Sequence, residues 1–278
     1  MRDSQATLPL DFFRPEIPTL ADWDVVLLNS SGGKDSQTMI RQVVQVADDE
    51  GYPRNRLVVA HADLGRVEWK GTGDLAREQA QVYGLEFRAI ARPQGDLLDH
   101  IERRGKFPGP ATRYCTSDHK RGQIAKIVTA LDRERRKGDR FRLLNCMGLR
   151  AHESPARRKK RPFTPNCYFS TKTREVWDWL PIHDWTDDEV WADIAESGVR
   201  YHDAYDLGMP RLSCILCIYA PKAALVLAGR QNPKLLDEYV AVERRIGHRF
   251  RVDLSMAEVK EEVDSDAPVG TLTGAWNM

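Results

Sequence analysis

Six consecutive residues near the amino terminus have the composition of an anion-binding loop. Ser31-Gly-Gly-Lys-Asp-Ser36 follows the mainly apolar run Asp24–Asn29 and precedes an apolar pattern with helical spacing. Two glycines allow a tight turn in which successive backbone N–H groups point into one concavity. The start of the following helix adds the positive end of its dipole, which favours phosphate. The string therefore predicts a phosphate-binding loop, although a bare Gly-Gly pair would equally fit an ordinary capped turn.

A second set of reactive side chains consists of three cysteines. Cys214 and Cys217 form a Cys-x-x-Cys pair, and Cys115 lies 99 residues upstream of Cys214. A pair at this spacing can chelate one metal ion or cluster. The chain has five cysteines, an odd number, so cysteine chemistry or metal binding is favoured over a disulfide framework. An iron–sulfur cluster, zinc and free thiols all remain open, with zinc less favoured than the cluster.

Positive charge is concentrated in the middle of the chain. The 278 residues carry 42 Lys and Arg against 41 Asp and Glu, a net charge of +1. Residues 101–174 contain 21 Lys and Arg against 6 Asp and Glu, so this segment has an excess of 15 positive charges. It includes five consecutive cations, Arg157-Arg158-Lys159-Lys160-Arg161. An isolated run of this kind is usually a solvated loop, but a basic segment inside an acidic frame indicates a polyanionic partner.

Apolar strand patterns and helical patterns alternate in the first half of the chain and must position these residues. Strands are predicted at 24–29, 56–61, 85–91 and 141–147, with helices after residue 36 and at 72–83 and 119–136. This alternation predicts an α/β fold with a doubly wound, mainly parallel sheet. Right-handed crossovers place the loops after the strands on one rim, where ligands bind. After Pro181 the pattern is mainly helical, so we expect a helical C-terminal portion.

The same patterns suggest four segments. We predict an extended N-terminal arm at 1–21, an α/β domain at 22–180, the helical portion with Cys-x-x-Cys at 181–262, and a mobile tail at 263–278. Hydrophobic residues make up 41% and charged residues 30%, which is typical of a globular protein. Neither a signal peptide nor an apolar run of about 18 residues is visible, so we expect a cytoplasmic protein without membrane contact.

The motifs resemble those of a known family. The loop at 31–36 resembles the PP-loop of the ATP pyrophosphatases, which have the adenine nucleotide α-hydrolase-like fold. Further strings over roughly residues 24–220 resemble the phosphoadenosine-phosphosulfate reductase branch of that family. These strings are Tyr114-Cys115-Thr116 with Lys120-Arg121, Gly148-Leu149-Arg150-Ala-His-Glu153-Ser154 with Arg157, Pro181-Ile-His-Asp184-Trp185-Thr-Asp-Asp-Glu-Val-Trp191, and Cys214-Ile-Leu-Cys217.

The resemblance implies a site that binds ATP and Mg²⁺. Lys34 would offset the charge of the β- and γ-phosphates, and Asp35 would help to hold Mg²⁺. Arg150 and Arg157 would orient the acceptor, and we assign Lys34, Asp35 and Arg150 as catalytic. The ATP-binding residues are then Ser30, Ser31, Gly32, Gly33, Lys34, Asp35, Ser36, Asp63 and Gly148. Asp63 follows the second strand at the rim and is assigned an adenosine or Mg²⁺ contact.

The resemblance also implies a metal centre. Reductases that carry a [4Fe-4S] cluster bind it with a Cys-Cys pair and a Cys-x-x-Cys pair. Here Tyr114-Cys115 replaces the first pair, so the metal ligands are Cys115, Cys214 and Cys217. Cys146 or Cys167 would supply a fourth ligand, or one iron would stay open; Cys146 also fits a buried strand position.

Two members of the branch differ in the chemistry they imply. A sulfonucleotide reductase attacks activated sulfate with a cysteine near its carboxyl terminus, and no cysteine follows Cys217 in the printed sequence. DNA phosphorothioation ATP pyrophosphatases lack that cysteine and adenylate a backbone phosphate, so that sulfur from a cysteine desulfurase can replace an oxygen. The favoured function is therefore ATP cleavage to AMP and pyrophosphate for sulfur transfer to DNA. The partners would be a cysteine desulfurase, other phosphorothioation proteins and DNA, with a homo-oligomer also possible.

The alternatives are a sulfonucleotide reductase, a tRNA or nucleobase thiolation enzyme, and a non-catalytic nucleotide-binding adaptor. Five adjacent cations exceed what one sulfonucleotide needs, which favours DNA as the ligand of Arg157–Arg161. We assign no ligand role to His61, His100 and His119, which are interpreted as polar surface or loop residues.

Overall fold

A six-stranded sheet forms the centre of the computed structural model, which describes residues 18–265. The strand order is β3-β2-β1-β4-β6-β5, and all neighbouring strands are parallel except β5 and β6. Ser30 pairs with His61 and Asn29 with Met147, so the carboxyl ends of β1, β2 and β4 meet at one edge. The strands are β1 Val25–Ser30, β2 Leu57–Asp63, β3 Glu86–Ala91, β4 Phe141–Met147, β5 Phe163–Pro165 and β6 Arg174–Trp179.

Helices cover both faces of this sheet. They are α1 Lys34–Asp49, α2 Thr72–Val82, α3 Leu97–Arg104, α4 Tyr114–Thr116, α5 Gly122–Arg135, α6 Pro155–Arg158, α7 Asp187–Ser197, α8 Lys222–Gln231, α9 Pro233–Ile246 and α10 Met256–Asp264. Val26 and Leu28 pack in one core cluster with Met39 of α1, whereas Val25 and Leu27 face the cluster that contains Ile127 of α5. The predicted doubly wound, mainly parallel sheet is therefore confirmed.

The helical C-terminal portion is also confirmed, and it packs beside the carboxyl edge of the sheet. Leu64 and Val67, which follow β2, share a core cluster with α3, α8, α9 and α10. The Cys-x-x-Cys segment lies between α7 and α8 and packs against the same cluster. The cysteines are thereby brought to the edge of the sheet where the strands end. The predicted domain boundaries themselves stay a prediction.

The ends of the described chain differ from the sequence prediction. Leu20–Asp22 form a 3₁₀ turn with Leu20 fully buried, so the last residues of the predicted arm belong to the core. Helix α10 extends to Asp264 and therefore includes the first two residues assigned to the tail. The rest of both segments, 1–17 and 266–278, lies outside the described residues. Within 18–265, no helix is both long and apolar enough to span a bilayer.

The strand β6 is absent from the sequence prediction, because its residues alternate charged and aromatic types instead of forming an apolar run. Val176 and Trp179 are buried, while Arg174 and Trp177 are partly exposed. The strand is shielded on its outer edge by β5, which pairs with it in the antiparallel direction. Near the edge of a sheet a strand needs less apolar sequence, so the local pattern is weak.

The close approach of β4 to α1 depends on Gly148. A Cβ atom added at Gly148 would clash with the carbonyl oxygen of Asp35 and lie 2.7 Å from the carbonyl carbon. These are backbone atoms, which cannot rotate away as a side chain can. Glycine at this position therefore lets the segment after β4 reach the start of α1.

Replacing Gly148 with alanine should therefore lower the free energy of unfolding by about 2 kcal/mol, the usual scale for overpacking a close contact. Urea denaturation measures this change. Gly138→Ala is the matched control, because a Cβ atom at Gly138 meets nothing within 4 Å. Equal free energies of unfolding for the two variants would contradict this prediction, because β4 and α1 could then move apart without loss of stability.

Candidate nucleotide-binding site

The predicted phosphate loop connects β1 to α1 at the carboxyl edge of the sheet. Gly32 has φ +70°, and a Cβ atom there would lie 3.0 Å from both Cγ2 and the carbonyl oxygen of Thr72. Gly33 is the N-cap of α1, which begins at Lys34. The structure therefore requires glycine at position 32 for both backbone conformation and space.

Serine hydroxyls organise the loop from inside. The Ser31 N–H donates to Oγ of Ser36 over 3.2 Å, and the Gly32 N–H donates to Oγ of Ser30 over 3.2 Å. Oγ of Ser36 in turn donates to the carbonyl oxygen of Gly33 over 2.8 Å. The hydroxyls of Ser31 and Ser36 are 3.3 Å apart. The three predicted serines therefore lie together and hold the loop's shape.

An ion-pair network lies beside the loop and joins it to two other segments. Nε of Arg150 donates to Oδ1 of Asp35 over 2.6 Å, and its guanidinium also contacts Asp187 at the start of α7. Nζ of Lys34 lies 3.0 Å from Oδ1 of Asp187 and 3.6 Å from Oδ1 of Asp35. The side chains of Arg150 and Lys34 are only 3% and 4% exposed, whereas that of Asp187 is 60% exposed. Two buried cations are therefore neutralised by two carboxylates, and the network opens to solvent at Asp187.

The opposite charges in this network stabilise the ionised forms of Arg150 and Asp187. Burial opposes the charge of Arg150, but the carboxylate of Asp35, followed by that of Asp187, raises the pKa of Arg150 overall. Burial likewise opposes ionisation of Asp187, yet Lys34 and then Arg150 lower its pKa. Arg150 and Asp187 therefore both remain charged near neutral pH. In the structure, the charged Arg150 holds Asp35 and the start of α7 in place. Its side chain is buried and does not point to solvent, where an acceptor would approach.

Sequence reasoning missed Asp187 as a site residue, although it lies within a motif string noted above. Thr186 and Glu189 form a capping box that predicts the helix start. That pattern gives the position of Asp187 in the first turn. It gives no indication that its carboxylate contacts Lys34 and Arg150, since both partners are distant in sequence.

His61 was also missed, because the prediction placed it on the surface or in a loop. It is 1% exposed at the carboxyl end of β2. Its Nδ1 lies 3.0 Å from the carbonyl oxygen of Ser30, and its Nε2 lies 3.2 Å from Oε2 of Glu68. Only an imidazolium can donate to both acceptors. Burial opposes that charge, but the hydrogen bond and charge of Glu68 raise the pKa of His61.

His100 and His119 are buried as well, which corrects the prediction for both. Nδ1 of His100 lies 3.0 Å from Nε2 of His119, so one ring donates and the other accepts. Burial, and next the neighbouring His100, lower the pKa of His119 to about 4. Burial also lowers the pKa of His100. The pair is therefore neutral at physiological pH and packs within the interior.

Asp63 lies at the predicted rim but uses its carboxylate locally. Oδ1 of Asp63 accepts a hydrogen bond from the Gly65 N–H over 2.7 Å, which shapes the turn after β2. Ser30 pairs with His61, two residues before Asp63, so Asp63 and the phosphate loop share the same edge. The adenosine or Mg²⁺ contact assigned to Asp63 stays a prediction from this position.

The five-cation run divides into one inward and four outward side chains. Arg157 contacts Glu153, which also forms an ion pair with Arg211 at 3.2 Å. Burial and the nearby charge of Arg211 lower the pKa of Arg157. Arg157 is therefore part of the folded structure, whereas the exposed cations are Arg158, Lys159, Lys160 and Arg161.

An exposed aromatic ring carries a further cation on its face. Tyr168 is 55% exposed, and the guanidinium carbon of Arg121 lies 4.3 Å from the centre of its ring. The adjacent Phe169 is buried and anchors the turn, together with a 2.9 Å hydrogen bond from its N–H to Asn166. This turn holds Tyr168 outward beside a cation, an arrangement suited to stacking with an unpaired base.

The three predicted metal ligands occupy one region but do not form a metal site. Burial is the main cause that raises the pKa of Cys214 to about 12, and the neighbouring charges include Lys120, Cys217 and Cys115. Among residues 18–265, however, no group of three His, Cys, Asp or Glu side chains is close enough to hold a metal ion. The three thiols share a neighbourhood, but in this arrangement they do not fit a cluster. Cys146 is buried in β4 and Cys167 is exposed.

Comparison with known proteins identifies the family. Residues 25–220 match the phosphoadenosine phosphosulfate reductase domain. The chain belongs to this reductase domain family. The match spans the phosphate loop, the ion-pair network and the Cys-x-x-Cys pair. The predicted resemblance to the phosphoadenosine-phosphosulfate reductase branch is thus confirmed.

Individual members and structures show a more distant similarity. The chain is 27% identical over 175 residues to an uncharacterized 37.8 kDa protein of Escherichia phage 186, covering 62% of this chain and 50% of that protein. It is 30% identical over 138 residues to adenosine 5'-phosphosulfate reductase of Neisseria meningitidis, covering 49% of this chain and 51% of the reductase. The chain thus spans about half the length of these relatives. The crystal structure of Candida glabrata FMN adenylyltransferase with FMN and an ATP analogue has a TM-score of 0.49, with 14% identity over 70% of this chain and 58% of that one.

The protonated state of His61 should make stability depend on pH. Because its pKa is raised in the folded state, its contribution is fully present below the unfolded-chain histidine pKa of about 6.5 and is lost as the pH rises through the raised value. Glu68→Gln keeps the shape but removes the carboxylate. It should therefore destabilise the protein more at about pH 6 than at about pH 8.5. Each unit by which Glu68 raises the pKa of His61 corresponds to about 1.4 kcal/mol of this difference.

Urea denaturation across this range measures the difference. Glu78→Gln is the control, because its carboxylate contacts Arg200 at the surface and no histidine. A Glu68→Gln effect that is equal at both pH values would mean that His61 stays neutral.

Proposed function

We propose that the protein is an ATP pyrophosphatase that adenylates a DNA backbone phosphate for sulfur transfer. The observation that carries this proposal is the glycine-containing loop between β1 and α1, with Lys34, Asp35 and Arg150 joined beside it at low exposure. The family match supports nucleotide chemistry at this position. Adenylation and the DNA acceptor go further than the family and are proposals.

The loop and its surroundings suit a nucleoside triphosphate. The helix α1 directs its positive dipole end and its first N–H groups toward the loop. Lys34 lies in the first turn and would turn from Asp187 toward the β- and γ-phosphates, whose charge it offsets. Asp35 and Asp187 are the carboxylates beside the loop that would hold Mg²⁺ entering with ATP, since hard oxygen ligands suit this ion.

The proposed step is an attack of one acceptor oxygen on the α-phosphorus of ATP. The new bond joins the acceptor phosphate to AMP, the bond to the β-phosphate oxygen breaks, and pyrophosphate leaves with both electrons of that bond. The residues of this chain would supply positioning and charge neutralisation, which are the main needs of phosphoryl and nucleotidyl transfer. The terminal sulfur of a persulfide on the cysteine desulfurase would then attack the adenylated phosphorus and displace AMP. A thiol reductant would cleave the remaining S–S bond, which leaves the phosphorothioate and frees the desulfurase cysteine.

The outward cations support a nucleic acid as the acceptor. Arg158, Lys159, Lys160 and Arg161 are exposed and directly precede β5. Phe163 of β5 pairs with Trp179, which pairs with Cys146 near the carboxyl end of β4, so the run lies at the same edge as the phosphate loop. The ring of Tyr168 with Arg121 on its face offers a stacking surface in addition to charge. A small sulfonucleotide needs neither this number of cations nor an exposed ring. DNA, a cysteine desulfurase and other phosphorothioation proteins are therefore the proposed partners, in the cytoplasm, and a homo-oligomer is compatible.

The cysteines take no catalytic part in this proposal. Cys115, Cys214 and Cys217 are the residues that would bind a [4Fe-4S] cluster, which would supply sulfur or redox chemistry. Because the described thiols do not form a metal site, the proposed adenylation takes no step through them.

The identity to adenosine 5'-phosphosulfate reductase favours a sulfonucleotide reductase as the second candidate. Sulfite release from adenylyl sulfate in the presence of a thiol reductant would favour that activity over adenylation. A thiolated base instead of a phosphorothioate linkage would favour the tRNA or nucleobase thiolation alternative.

Asp35→Asn should reduce the release of AMP and pyrophosphate from ATP by about two orders of magnitude, as is typical when one charge-stabilising group is lost. The assay contains Mg²⁺, DNA, a cysteine desulfurase, cysteine and a thiol reductant. Asp188→Asn is the control, because Asp188 is exposed in the first turn of α7. Thermal unfolding checks that both variants remain folded. The proposal fails if the wild type releases no pyrophosphate, or if Asp35→Asn retains full release.

Lys159→Gln combined with Lys160→Gln should weaken DNA binding and leave ATP binding unchanged. Each lost phosphate contact reduces the slope of log affinity against log salt concentration by roughly 0.9 for duplex DNA. Fluorescence anisotropy at several salt concentrations measures that slope. The matched variant is Arg133→Gln with Lys137→Gln, which removes two exposed cations from the region before β4, at the other end of that strand. Equal slopes in the two double variants would contradict a specific DNA contact at residues 158–161.

A further inference from the structure

One hydrogen bond in the phosphate loop comes from a distant part of the chain. The Lys34 N–H donates to the hydroxyl oxygen of Tyr205 over 2.9 Å, across 171 residues of sequence. The Ser31 and Gly32 N–H groups, in contrast, donate to serine hydroxyls within the loop itself. Two backbone N–H groups of the loop therefore donate to hydroxyls within the loop, and a third donates to a hydroxyl of the segment before Cys214.

The Tyr205 hydroxyl occupies the position expected of a phosphate oxygen. Lys34 is the first residue of α1, so its N–H points out of the helix at the positive end of the dipole. A Cβ atom at Gly33 would lie 3.2 Å from the Tyr205 hydroxyl oxygen and 3.2 Å from Cβ of Leu212. The segment thus lies directly on the loop. Burial raises the pKa of Tyr205, so this acceptor is a neutral phenol at physiological pH.

The segment that carries Tyr205 has no ladder hydrogen bonds, although the side chains of Ala204 and Met209 anchor it in the core cluster. Residues 201–213 contain turns and bends but no helix or strand. Tyr205 packs edge-on against Trp191 of α7 with ring centroids 5.1 Å apart, and Tyr201 packs on Trp191 in the same way at 5.2 Å. Gly208 has φ +90° within the turn. Segments without ladder hydrogen bonds open at lower free energy than core elements.

We propose that Tyr205 is a latch on the phosphate loop, and that a nucleotide phosphate must displace its hydroxyl from the Lys34 N–H to bind. Displacement detaches the Tyr205 side chain from the loop and loosens its segment, which continues directly into the Cys214–Cys217 pair. Nucleotide occupancy is thereby coupled to the position of the cysteine segment. The latch rests on the proposed function only in requiring that the loop binds a nucleotide phosphate.

The exchange favours the nucleotide once it is present. A charged phosphate oxygen makes a stronger hydrogen bond to an N–H group than a neutral phenol does. The latched state nevertheless reduces the observed affinity, since the free protein must first populate the open state. Removing the hydroxyl while keeping the ring should therefore strengthen nucleotide binding, the opposite of the effect expected for a residue that contacts the ligand.

The test measures the affinity of Tyr205→Phe for a non-hydrolysable ATP analogue with Mg²⁺ by calorimetry. We expect a Kd about two- to tenfold lower than that of the wild type, the range that the net strength of one hydrogen bond allows. Tyr201→Phe is the matched control, because it also loses one hydroxyl from the same aromatic group but contacts Asp206 instead of the loop. An unchanged or higher Kd for Tyr205→Phe overturns the latch.

Hydrogen exchange gives a second readout in the wild type. The analogue should slow amide exchange in residues 31–36 and speed it in residues 201–213. Tyr205→Phe should show faster exchange in residues 201–213 already without the analogue. Slower exchange in both segments would mean that Tyr205 closes over the nucleotide, which overturns the latch. Failure of the wild type to bind the analogue would reject the nucleotide site itself, whereas normal binding with equal affinities rejects the latch alone.

Discussion

The contact of Arg150 with two carboxylates is the interaction on which the site depends. Arg150 follows β4, Asp35 lies in the first turn of α1, and Asp187 lies in the first turn of α7. The guanidinium of Arg150 is buried between them and is paired with both. Removing Asp35 would leave this buried charge short of a partner, which costs several kcal/mol. The network therefore fixes the segment after β4, the phosphate loop and α7 relative to one another.

The close packing of backbone in the same place explains why this network can form. Gly148 precedes Arg150 by two residues and lets the chain after β4 touch the backbone of Asp35. A bulkier residue would push Arg150 outward, away from both carboxylates. On the other side of the loop, His61 links β2 to the carbonyl of Ser30. The loop is thus held from both neighbouring strands, by the guanidinium of Arg150 on one side and the imidazole ring of His61 on the other.

Elements with strong local patterns could be predicted from the sequence. The prediction failed for residues whose burial and partners depend on contacts that are distant in sequence. The strands β1, β2 and β4 are buried on both faces, so their apolar runs stand out. The phosphate loop has its own signature of glycine and serine. The ionic partners of Arg150 and the burial of His61 have no local signature, because each depends on which strand ends are neighbours. Arg157 shows the same limit, since five adjacent cations look alike until Glu153 is seen to bind one of them.

The arrangement of charge around the loop is compatible with the proposal that one edge of the sheet binds both a nucleotide and DNA. Lys34 and Arg150 are neutralised by Asp35 and Asp187 and are barely exposed, so they attract a distant polyanion only weakly. The cations at 158–161 are exposed and project their charge into solvent. Under the proposed function, a nucleic acid would be drawn to the outer cations, while the inner ones would remain available to ATP phosphates that enter the loop. This separation by burial would keep the two anionic ligands from competing for the same side chains.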